Sequence, residues 1–187
     1  MNFIRIVVGA VLSKDETLKL TSLKIIDKLS TYKYFTKQIS DFGVFSALLR
    51  GLDSSTSMEA TDQICKSFWN LLDTGAELRS QDLALISDAL LNEQNNLPKM
   101  SIIIPTLLRI ISKEGPDWKK IRKPEIIVPL EKFSTSPTVL SLSKNDPEAD
   151  KQQIEDLQEL KTVAKALASA LRENEIRKEF FTSVKQV

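Results

Sequence analysis

With 187 residues, 42% of them hydrophobic, the chain has enough apolar side chain to bury a sizeable core and fold as a single domain. Aromatics make up only 6% and glycines number 5, which weighs against sheet-rich architectures with their many turns. The 26 basic and 25 acidic residues nearly cancel, so no global field draws the chain to nucleic acid or an anionic membrane, and a lone cysteine, Cys65, excludes an intrachain disulfide.

The opening segment Phe3–Leu12 is apolar apart from Arg5. It resembles a short signal sequence at first sight. It lacks a small-residue cleavage site, however, and is shorter than the roughly 20 apolar residues that span a bilayer. A core-facing helix is the expected state. Ser13-Lys14-Asp15-Glu16 follows, a serine with an acidic residue three positions on, which predicts a helix N-cap at Ser13. The helix it opens spaces Leu18, Leu23, Ile26 and Leu29 for one buried stripe, with Leu20 and Ile25 widening it. Tyr32, Tyr34 and Phe35 crowd its exit.

A second unit turns at Gly43, runs through the short apolar helix Val44–Leu52 and breaks at Asp53–Ser57. A longer amphipathic helix is predicted over Met58–Asp73, with Ile64, Phe68, Leu71 and Leu72 inward and Gly75 as a left-handed cap. The third unit reads Asp82–Leu91, a polar break, then Leu97–Lys113, where Pro105 removes a backbone donor and predicts a break or kink. The fourth begins at Pro124 with Glu125–Phe133. A polar, flexible insertion is expected over 134–153, and Ser136-Pro137 suits phosphorylation there. A closing helix follows from Ile154 to about Arg172, then a polar tail over 174–187.

The first segments of these units close at Leu12-Ser13, Leu52-Asp53, Leu91-Asn92 and Phe133-Ser134, in steps of 40, 39 and 42 residues. Periods in this range mark helical solenoids, in which no unit buries its apolar face without a neighbour. The second unit, over residues 40–75, closely resembles an armadillo repeat, ending in Asn70-Leu71-Leu72-Asp73-Thr74-Gly75. HEAT repeats share the two-helix core and a similar period. The fold implied is an all-α, right-handed α-solenoid of about four armadillo-like repeats, at about 3–38, 40–77, 82–115 and 124–172.

The resemblance also implies where a partner sits, since successive third helices of that family line a groove. Peptide-binding members carry an asparagine ladder there. Aligning helix ends puts Asp27, Asn70, Arg109 and Ser169 at the ladder position, and only Asn70 matches. One turn earlier stands Lys66 rather than the tryptophan of nuclear-signal readers, and Trp69 is adjacent instead. The candidate contacts for a peptide or helix in a concave groove are therefore Lys66, Asn70 and Arg109. A second basic group, Lys119, Lys120, Arg122 and Lys123 with Trp118 beside it, suits an acidic partner or phosphate.

Histidine is absent, which removes the commonest general base and metal ligand. One cysteine leaves no ordinary zinc site, and the scattered glycines form no phosphate loop. No catalytic residue, metal or cofactor is expected. The expected function is a non-enzymatic protein-interaction scaffold or adaptor, cytoplasmic or nuclear, within a larger assembly or longer chain. The apolar first helix implies cover by another subunit or chain segment. The alternatives are a helical regulator of a small GTPase or cytoskeletal motor, and weak nucleic-acid binding through 119–123.

Overall fold

The computed structural model describes residues 2–52, 56–112, 121, 124–137 and 147–172. Among these it is all-α, with no strand. The helices are α1 (Asn2–Ala10), α2 (Glu16–Ser30), α3 (Lys33–Asp41), α4 (Val44–Arg50), α5 (Met58–Asp73), α6 (Ser80–Asn92), α7 (Leu97–Ser112), α8 (Pro124–Thr135) and α9 (Pro147–Arg172). The chain divides into two compact units, Met1–Leu85 and Ile86–Val187, with the division inside α6. No described helix is long and apolar enough to cross a membrane.

In the first unit the long helices α2 and α5 pack side by side. Leu23 and Ile26 of α2 and Ile64, Phe68 and Leu71 of α5 are fully buried. Their spacing of three or four residues makes one apolar stripe per helix. Polar contacts across the pair advance together along both helices. Lys24 meets Glu59 near the start of α5, whereas Asp27 meets Lys66 and Asn70 further along. The two helices therefore run parallel. The intervening α3 and α4 supply the return that a parallel pair requires, and α4 seals the layer with Phe45, whose ring stands 4.7 Å from that of Phe68. Val11, just past the end of α1, packs against Gly51, where an added Cβ would come within 3.1 Å of the valine.

Helix ends follow the local chemistry. Asp15, not Ser13, caps α2, its carboxylate accepting from the Leu18 amide, while Ser13 Oγ accepts from the Asp15 amide. An ionised carboxylate is the stronger acceptor beside the positive end of the helix dipole, which explains the shift. Ser57 caps α5 by accepting from the Ala60 amide. At the other end of α5, Gly75 (φ 91) takes the left-handed conformation. Its amide donates to the Leu72 carbonyl and the Ala76 amide donates to the Leu71 carbonyl, a Schellman termination as the sequence predicts. The residues read as a crowded helix exit instead form α3, with Thr36 and Ile39 buried.

In the second unit α7 and α8 both pack on α9. The Ser136 carbonyl accepts from Lys161, and Glu131 pairs with Arg172, so α8 and α9 run antiparallel. Two expectations are revised here. Of the break or kink expected at Pro105 there is no break, because α7 runs unbroken from Leu97 to Ser112. The lost backbone donor costs about 3 kcal/mol, and burial of Ile102, Ile103, Ile104, Leu107 and Ile111 outweighs it. The polar insertion also ends earlier than expected, since α9 starts at Pro147 instead of Ile154. Pro147 suits a first helical turn, where no amide donor is needed. Residues 138–146 and the tail over 174–187 lie outside the described residues.

Phe68→Ala should lower the unfolding free energy by about 3–5 kcal/mol in urea titrations followed by circular dichroism. A double-mutant cycle with Phe45→Ala should return a coupling of about 0.5–1.5 kcal/mol for the tilted ring pair.

Candidate functional site

The ladder positions on α2 and α5 meet each other. Asn70 Nδ2 donates to Asp27 Oδ1 at 2.7 Å, and Lys66 Nζ donates to Asp27 Oδ2 at 3.0 Å. Lys66 and Asn70 are four residues apart, hence one above the other on the same face of α5. Asp27 is 8% exposed, so its carboxylate depends on these donors in place of water. The Lys66 side chain is 61% exposed and keeps most of its contact with solvent. Of the three groove residues predicted from sequence, two, Lys66 and Asn70, are thus already engaged by Asp27 of α2. Arg109 is half-buried on α7, in the other unit, and Ser169 is exposed on α9. Trp118, Lys119, Lys120, Arg122 and Lys123 lie outside the described residues.

The same seam carries further bonds between chain positions 35 to 38 residues apart. Lys24 pairs with Glu59 at 3.3 Å, and Thr36 Oγ1 donates to Thr74 Oγ1 at 3.1 Å. A second buried carboxylate, Asp82, fully shielded from solvent, accepts from Ser46 Oγ at 2.5 Å and from the Arg79 amide at 2.9 Å. The Arg79 guanidinium lies 3.5 Å from Asp82 and donates to the Asp41 carbonyl at 3.3 Å. Sequence separations across these contacts run from 35 to 43, apart from the local Arg79–Asp82 pair.

At the start of α2 and α5 the first unit holds an open cavity of about 470 Å³. Lys14, Lys19 and Arg50 line it, with Glu16 as the one carboxylate among the described lining residues and Leu12 and Ala60 as apolar wall. Lys19 donates to the Gly51 carbonyl at 3.4 Å, and among the described residues neither Lys14 nor Arg50 has an ion-pair partner. Sequence reasoning passed over this group. Its signal is positional: Lys14 lies just after the first landmark, Leu12-Ser13, and Arg50 just before the second, Leu52-Asp53.

Two other groups bear on chemistry. Burial, with the Asp62 charge adding to it, pushes the Cys65 thiol up to about 11, so it stays protonated near neutrality and makes a poor nucleophile. Among the described residues no cluster of His, Cys, Asp or Glu has the composition to hold a metal. On α1 the apolar Phe3 and Ile6 point outward, 59% and 67% exposed.

No protein-family model, curated protein or solved structure matches this chain.

Asn70→Ala should lower the unfolding free energy by about 1–3 kcal/mol, because it leaves a buried carboxylate oxygen without its donor. Lys66→Ala should cost less than about 1 kcal/mol, since its ammonium is mostly hydrated. In an Asp27→Ala background the cost of Asn70→Ala should shrink, as urea titrations of the four variants would read.

Proposed function

We propose that the chain is a non-enzymatic protein-interaction module built from stacked armadillo-like units. The observation that supports this reading best is the set of inter-helix contacts one repeat apart. Parallel α2 and α5 pair through Lys24–Glu59 and Asp27–Lys66–Asn70, and the returns between them pair through Thr36–Thr74 and Ser46–Asp82. Parallel stacking of equivalent helices, with one unit's landmark against the next, is the geometry that the period of about 40 residues implies. The packing of α7 on α9 in the second unit agrees with it.

Such a stack presents long, continuous rows of side chains instead of an enclosed pocket. The exposed row on α2 runs through Thr17, Thr21, Lys24 and Lys28, and the facing row on α5 through Glu59, Asp62, Lys66 and Asp73. The α2 row is basic through Lys24 and Lys28 and the α5 row is mainly acidic, with Lys66 among three carboxylates, which suits recognition of a polar, mixed-charge segment of another protein. The absence of histidine and the protonated Cys65 thiol favour binding over catalysis.

A photo-crosslinking amino acid placed in turn at Thr21 and Asp62 should capture one discrete protein in cells. The same probe at Tyr34, exposed on the turn-side helix α3, should not. Adducts of nucleic acid alone, or identical captures from all three positions, would contradict the reading.

A further inference from the structure

Among the described residues, the cavity between the starts of α2 and α5 brings three cations, Lys14, Lys19 and Arg50, to one lining. Resting on the interaction-module reading, we infer that this cavity is an anchoring site for an acidic peptide segment of the partner. Three cations from three separate stretches converge on it: Lys14 on the turn after α1, Lys19 in the first turns of α2, and Arg50 at the end of α4. Among the described residues of the lining they face one carboxylate, Glu16. Across the seam the chain pairs two cations, Lys24 with Glu59 and Lys66 with Asp27. At the cavity it leaves Lys14 and Arg50 without ion-pair partners among the described residues.

The shape and lining select the class of anion. A volume of about 470 Å³ exceeds what one phosphate or carboxylate fills and has room for several side chains. Leu12, 48% exposed, offers an apolar wall beside the cations. Carboxylates next to an aliphatic residue meet both surfaces at once. Nucleic acid is disfavoured because its binding draws on extended positive potential, and the chain's net charge is only +1. The start of α5 adds to the field in the same sense, with Ser57 and Ala60 of its first turn on the cavity wall.

The test is fluorescence anisotropy with the intact chain and a labelled hexapeptide of four glutamates and two leucines, at two salt concentrations. The probe should bind and should weaken as salt rises. Lys14→Glu and Arg50→Glu should each weaken binding about tenfold, and Glu16→Gln should strengthen it. Lys165→Glu, an exposed charge reversal on α9, should leave binding unchanged. Circular dichroism should show the wild-type helix content in every variant, and Lys14→Gln and Arg50→Gln repeat the comparison with milder changes.

No binding of the peptide, or equal loss with Lys165→Glu, would overturn the inference. An oligodeoxythymidylate of equal charge that binds as tightly, and is lost in the same two variants, would overturn it in favour of a phosphate site. Because the crosslinking positions Thr21 and Asp62 do not line the cavity, a failure here leaves that test of the module free to succeed or fail on its own.

Discussion

Two parallel helices cannot be joined by a tight turn, and this constraint organises the first unit. Burial of Leu23, Ile26, Ile64, Phe68 and Leu71 drives α2 against α5. Their parallel orientation then obliges the chain to travel back between them. Helices α3 and α4 make that return, and because they lie under the pair they are buried in turn through Ile39, Phe45 and Leu48. Everything placed at the seam follows from this one packing choice. Side chains 35 to 43 residues apart thereby become neighbours.

The polar contacts at the seam add definition more than bulk stability. Asp27 and Asp82 are carboxylates held in largely dry surroundings, each by donors from a neighbouring segment. Misregistered packing would leave Asp27 buried without partners, at a cost of several kcal/mol, and would take Ser46 from Asp82, leaving it only its local Arg79 donors. The apolar stripes alone tolerate sliding by a helical turn, whereas these carboxylates do not. The same pairing decides which charges face outward unopposed. Lys66 and Asn70 hold the seam, and the cations around the cavity stay available.

Much of this was legible in the sequence, for identifiable reasons. The Met58–Asp73 helix and its Gly75 termination were readable because capping and periodicity agree there. The α3 helix was not, because Tyr32, Tyr34 and Phe35 form a cluster without helical spacing, and its burial rests on Thr36 and Ile39. The start of α9 was hidden by Pro147, which reads as a breaker unless it falls in a first turn. Pro105 misled in the opposite sense, since tertiary burial overrode a local penalty. Among the site residues, helix-end alignment brought Asp27 and Asn70 to one level. It gave no sign that they bond to each other, because lateral proximity of two helices is a tertiary fact. The cavity cations were missed for the same reason.

The most direct measurement is a pair of chemical crosslinks across the seam, made in a Cys65→Ser background. Lys24→Cys with Glu59→Cys, replacing an ion pair 3.3 Å apart, should be joined efficiently by a short bismaleimide. Lys24→Cys with Asp73→Cys should not, since residue 73 lies about 20 Å further along α5 at 1.5 Å per residue. Preferential joining of the second pair would mean that α2 and α5 are not parallel neighbours, and the stacked-repeat account would fall with that result.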